Sequence, residues 1–129
     1  MMKKVSKILV VDDDALHRKL LTYQLTKNGY QVLIASDGLE ALDWLRVPGQ
    51  QPDLILLDLL MPRFSGLDVL RKLKASASKL PVILMSAAEW PIANEGVTLS
   101  KPDAFLSKPF NVEKLVAKIE ALLLPVAVV

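Results

Sequence analysis

Three aspartates in a row, Asp12-Asp13-Asp14, follow the short apolar run Ile8-Leu9-Val10-Val11, and a single carboxylate, Asp58, ends the denser run Leu54-Ile55-Leu56-Leu57. Ser86 ends a third such run, Val82-Ile83-Leu84-Met85, and Lys108 follows a fourth, Ala104-Phe105-Leu106-Ser107. Carboxylates brought within a few ångströms of one another repel, and either take up protons or recruit a cation. Oxygen-only ligation suits a hard ion that keeps some of its waters, which is the habit of Mg²⁺. A carboxylate oxygen can also attack phosphorus and form an aspartyl-phosphate. A lysine and the cation would then neutralise the equatorial oxygens of the moving phosphoryl group, and a serine hydroxyl could donate to those same oxygens.

That chemistry requires the four run ends to meet, and the pattern of elements predicts that they do. The run from Leu54 to Asp58 reads as a strand buried on both faces, with Met61-Pro62 stopping it just beyond. Asp14 can cap a first helix carrying Leu16, Leu20, Leu21 and Leu25, which Asn28-Gly29 ends. Tyr30 to Ala35 reads as a strand, and Asp37 with Glu40 as a capping box for a helix over Leu39, Leu42 and Leu45, closed by Pro48-Gly49. Ser65 and Asp68 open a helix with Leu67, Leu70 and Leu73 on one side. Pro81 to Met85 is a fourth strand and Ala104 to Leu106 a short fifth. Asn111 can cap a last helix that buries Val112, Leu115, Val116, Ile119, Leu122 and Leu123, and Pro125 stops it. Between the last two strands, Glu89 to Pro102 holds Pro91, Gly96 and Pro102 and few apolar residues, so any helix there is short or irregular. Strands alternating with helical segments predict one three-layer α/β domain: a parallel sheet with helices on both faces and right-handed crossovers. In such a sheet every strand points its C-terminal end at one rim, where ligands bind. Asp12, Asp13, Asp58, Ser86 and Lys108 are thereby placed together.

Composition narrows the alternatives. The chain of 129 residues is 52% hydrophobic, ample for a core, and its net charge of +2 is too small to argue nucleic-acid binding. Lys3, Lys4 and Lys7 read as part of a solvated N-terminal arm, placed at residues 1–6, with the domain over 7–124 and an apolar tail over 125–129. With no cysteine there is no disulfide framework, thiolate metal site or cysteine nucleophile. No signal peptide and no apolar stretch of ~20 residues stands out, so the expectation is a cytoplasmic domain without a membrane span. His17, the only histidine, lies on the first helix beside Arg18-Lys19 and reads as a surface residue. Trp44 and Trp90 read as packing or partly exposed residues.

The set Val11-Asp12-Asp13, Leu57-Asp58 with Met61-Pro62 and Gly66, Met85-Ser86-Ala87, and Leu106-Ser107-Lys108-Pro109-Phe110 closely resembles the receiver domain of two-component response regulators. The likeness runs from about Lys7 to Leu124, with the motifs in the family's order. It implies a doubly wound, CheY-like sheet of order 2-1-3-4-5, and Asp58 as the phosphoacceptor charged by a histidine kinase or a histidine phosphotransfer domain. It further implies Asp13 as a direct Mg²⁺ ligand, Asp12 helping through water, and the backbone carbonyl of Leu60 completing the protein's share. Lys108 would contact the phosphoryl group through a cis bond to Pro109, Ser86 would be the switch hydroxyl, and Phe105 would take the aromatic position that turns inward with it. Phe105 as plain core is the alternative.

Two departures bear on output. The 89–102 segment should carry the fourth helix of a face that many receivers use for partners or for homodimers, and its prolines and glycine leave both open. Lys101-Pro102-Asp103-Ala104 also differs from the family's usual approach to strand five. Leu60 and Ala88 offer no polar group to orient a water, so slow hydrolysis of the phosphate is expected. Other functions fit less well. A small Mg²⁺ phosphohydrolase would want an acid-base carboxylate where Leu60 stands, and a flavin or nucleotide binder would want a phosphate loop where Asp12-Asp13-Asp14 would repel one. A degenerate receiver serving as a scaffold would not keep every acceptor residue. The downstream partner, and whether the chain acts alone or belongs to a longer protein, stay open.

Overall fold

The strand from Leu54 to Asp58 is buried at every position, and it forms the middle of the sheet. In the computed structural model, which describes residues 5–76, 78–87 and 101–123, the elements run β1 (Lys7–Val11), α1 (Ala15–Lys27), β2 (Gln31–Ala35), α2 (Gly38–Leu45), β3 (Leu54–Asp58), α3 (Gly66–Ala75), β4 (Val82–Ser86), β5 (Ala104–Ser107) and α4 (Val112–Leu123). Five expectations fall outside the described residues: the arm from Met1 to Lys4, the helix within 89–100, Trp90, Ala88 and the tail beyond Leu124. Lys7 is the first residue of β1, so the sheet begins where a free arm was expected to end.

All neighbouring strands are parallel, in the order β2-β1-β3-β4-β5. This is the doubly wound order expected from the family likeness. Side chains alternate between two apolar clusters with the period of two that a strand imposes. Leu9, Val11, Ile55, Leu57, Val82 and Leu84 point to one cluster with Ala41 of α2 and Val69, Leu70 and Leu73 of α3. Ile8, Val10, Leu54, Leu56, Ile83 and Met85 point to the other, with Leu21 and Leu25 of α1 and Leu115 and Ile119 of α4. Strands covered on both faces need apolar residues at every position, which is why β3 shows no alternation in sequence.

The helix starts follow their capping residues. Asp14 accepts the N–H groups of Leu16 and His17, and Ser65 with Asp68 makes a full reciprocal box. Asp37 accepts from Glu40 N, whereas the Glu40 carboxylate reaches Ser36 rather than the cap itself. Asn111 accepts from Lys114 N at 2.7 Å. α1 departs from expectation. Leu21 and Leu25 are core, but Leu16 is 80% and Leu20 50% exposed. At 3.6 residues per turn, Leu16, Leu20 and Tyr23 form a stripe roughly opposite Leu21 and Leu25, so the leucines belong to two faces rather than one.

Candidate functional site

Sheet register decides which residues meet. Val11 pairs with Leu57, Asp58 with Met85 and Ser86 with Ser107. The next residues along β1 and β5, Asp12 and Lys108, therefore stand beside Asp58 at the rim. Continuing the strand period, Asp12, Asp58 and Lys108 share the side of α1 and α4. Ser86 and Phe105 share the other side, where Phe105 packs against the α2–α3 cluster.

The geometry is close. Lys108 Nζ lies 3.3 Å from Asp12 Oδ2 and 3.4 Å from Asp58 Oδ2, bridging the two carboxylates. Carboxylate oxygens of Asp12, Asp13 and Asp58 all lie within 4.8 Å of one another, a spacing that could hold a metal ion. Asp12 is fully buried and Asp58 5% exposed, while Asp13 is open to solvent. Ser86 is buried at the end of β4. The Leu60 N–H faces Asp58 Oδ1 at 3.4 Å, with the leucine side chain 62% exposed. The bond between Lys108 and Pro109 is cis.

The two buried carboxylates are pushed apart electrostatically. Burial raises the Asp58 pKa to about 6; Lys108 pulls against it and the Asp12 charge adds to it. Burial acts on Asp12 in the same direction. There it is outweighed by the hydrogen bond from His17, the Asp14 N–H and the charge of Lys108, which hold it down at about 2. Asp12 is thus a firm anion, and Asp58 an acid poised just below neutrality.

Close approach of α3 sets the Asp58 backbone. A Cβ on Gly66 would lie 2.1 Å from the Asp58 carbonyl oxygen, and the Gly66 N–H donates to Leu59 O at 3.0 Å. Only glycine lets the helix start this close to the strand end.

Comparison with known proteins then decides the family. The model of the response regulator receiver domain matches residues 8–120. This chain belongs to that family. It is 40% identical over 117 residues to the response regulator MprA of Mycobacterium sp. (strain KMS), an alignment covering 91% of this chain and 50% of the relative, and it matches MprA of Mycobacterium tuberculosis at the same identity. The chain thus spans about half the length of the curated relatives it matches. Among solved structures, the chemotaxis protein CheY4 of Vibrio cholerae superposes with a TM-score of 0.83 at 26% identity, covering 93% of this chain and all of that chain. The response regulator TrrA of Thermotoga maritima, solved in complex with Mg²⁺-BeF, gives 0.80 at 32% identity over 92% of this chain. No helix among the described residues is long and apolar enough to cross a membrane.

His17 corrects the sequence reading. Its ring is 21% exposed, with Nδ1 2.5 Å from Asp12 Oδ2, and it meets Phe110 edge-on at 6.0 Å between centroids. Arg18, the next residue, donates from Nη1 to the Asp12 carbonyl at 2.6 Å. The available signal was positional: a helix capped by Asp14 directs its first turn back towards the residues just before the cap.

Proposed function

We propose that this domain is a phosphorylation switch: Asp58 accepts a phosphoryl group from a phosphohistidine on a histidine kinase or phosphotransfer domain, and the phosphorylated form changes what the domain binds. The observation that carries this reading is the buried Asp58 carboxylate flanked by Asp12, Asp13 and Lys108. The donor set is all oxygen and strongly anionic, which fits Mg²⁺. Carboxylates of Asp12, Asp13 and Asp58 would hold the ion with the Leu60 carbonyl. When bound, the ion supplies positive charge against the phosphoryl oxygens.

The chain's own residues divide the remaining work. An Asp58 carboxylate oxygen forms the new bond to phosphorus while the bond to the donor imidazole nitrogen breaks, and that nitrogen keeps the electron pair. Lys108 already lies within reach of Asp58 and can follow the new charge onto the phosphoryl group. Ser86, one residue beyond the partner of Asp58 on the neighbouring strand, would supply a hydroxyl donor, and Phe105 would move with it. The donor must dock where Asp58 opens to the surface. A cleft of about 480 Å³ borders Lys108, the contact of Asp58, and is lined also by His17, Leu20 and Pro109, with exposed Leu16 on the same helix as His17 and Leu20.

Transfer and loss of the phosphoryl group are self-catalysed in this reading, and no separate metabolite is turned over. Leu60 brings no polar side chain to orient an attacking water, which supports a long-lived phosphate; a half-life of seconds in Mg²⁺ would contradict that part. The phosphohydrolase and scaffold alternatives gain no support from the site, since the acid-base position is apolar while the acceptor set is complete. The main test is intact mass after incubation with acetyl phosphate and Mg²⁺, wild type beside Asp58→Asn. One added phosphoryl group, absent in the variant and with EDTA, is the expected result. No addition where a control receiver labels would sink the reading.

A further inference from the structure

Asp12 is gripped from several directions by the start of the helix that follows it. Its Oδ1 accepts the Asp14 N–H at 2.9 Å, its backbone carbonyl accepts Arg18 Nη1 at 2.6 Å, and its Oδ2 faces both His17 Nδ1 at 2.5 Å and Lys108 Nζ at 3.3 Å. An ionised carboxylate only accepts, so the imidazole proton sits on Nδ1 and His17 is the donor. The other side of the same ring lies edge-on against Phe110, two residues past Lys108. One side chain thus touches both the acidic cluster and the loop that carries the lysine.

Building on the proposed cation site, we infer that His17 is a positioning residue for that site: it fixes the Asp12 carboxylate in the orientation the cation needs and keeps Lys108 from closing on it. Lys108 sits at 3.3 and 3.4 Å from its two carboxylates, long for a charge-assisted contact, which is commonly about 2.7–2.9 Å. With His17 occupying one acceptor direction of Asp12 Oδ2, the ammonium shares what is left and stays loose. Without His17 both directions open to Lys108, the carboxylate turns towards it, and the tighter pair must break before a cation or a phosphoryl group can enter. Hydrogen-bond donors behind metal-ligating carboxylates commonly govern affinity by roughly 10–100-fold. Phe110 keeps the ring upright for this task and is the second member of the arrangement.

The test is direct Mn²⁺ binding to the full chain by electron paramagnetic resonance of the free ion, with Mg²⁺ competition, on wild type, His17→Leu, His17→Asn and Phe110→Ala. Asparagine can place its amide N–H near the position of Nδ1, so His17→Asn should hold affinity within a few-fold, while His17→Leu should lose roughly tenfold or more. Phe110→Ala should fall between. Circular dichroism melting of each variant separates loss of binding from loss of fold. Equal or tighter binding by a folded His17→Leu would overturn the role of His17 and leave the cation site standing. No Mn²⁺ or Mg²⁺ binding by the wild type would remove the cation site, and this inference with it.

Discussion

Where the strands begin, Asp53 accepts the Lys7 N–H at 2.7 Å and Asp103 the Val82 N–H at 2.8 Å. Each returns its own N–H to the carbonyl of the same residue, at 2.8 Å for Asp53 and 2.9 Å for Asp103. Where the strands end, Asp12 and Asp58 face each other across one lysine, buried, with Asp58 pushed towards protonation. The same residue type does opposite work at the two ends of one sheet. At the beginnings, a carboxylate closes a ring with the backbone of the neighbouring strand and stabilises the pairing. At the ends, carboxylates are crowded beyond what one lysine neutralises, a cost the fold carries where the proposed cation and phosphoryl site lies.

The sharpest way to break the strand-end side is at Gly66. Gly66→Ala drives a methyl group into the Asp58 carbonyl, 2.1 Å away, and is expected to cost about 3 kcal/mol in urea unfolding, with the cation site lost even where the protein stays folded. Next comes the charge itself. In cation-free buffer Asp58→Asn should stabilise the protein at pH 7 by about 2 kcal/mol, since a raised acid pKa is a penalty on the folded anion.

The same linkage fixes a pH dependence. Folded Asp58 holds its proton up to about 6 and the unfolded chain only to about 3.8, so wild-type stability should fall as pH rises between those values. Asp58→Asn should lack that slope. Asp12 works in the other direction: lowered to about 2, it contributes stability above its unfolded value, and that contribution is lost as pH falls towards 2. The smallest effects belong to the strand beginnings. Asp53→Ala and Asp103→Ala should each destabilise by about 1 kcal/mol, an ordinary loss of one side chain-to-backbone hydrogen bond, with phosphorylation of the folded protein unchanged.

Much of this was legible in the sequence because it rests on short-range rules. The unbroken apolar run of β3, the Ser65–Asp68 box and the strand-end aspartates all signal locally, and strand parity carries them to one rim. What stayed hidden depends on three-dimensional approach. Leu16 and Leu20 share helical spacing with core leucines but face away from them. At Gly38 a Cβ would meet Phe64 at 2.7 Å and Val69 at 2.8 Å, where α2 closes on α3. His17 sits in a polar run typical of a solvated face, and only the return of α1 over Asp12 turns it inward. For Gly38 the deciding contact is made with another element, whereas the outward leucines follow from the helical period and the inward turn of His17 from its place one turn after the Asp14 cap.

The claim most exposed to a single measurement is that the phosphoryl group resides on Asp58. Borohydride reduces an acyl phosphate to an alcohol, converting aspartyl-phosphate to homoserine. After labelling with acetyl phosphate and Mg²⁺, reduction and peptide mapping should find homoserine at position 58 and unmodified Asp12, Asp13, Ser86 and His17. Homoserine at Asp12 or Asp13, or a stable phosphate on Ser86 or His17 with Asp58 untouched, would contradict the account.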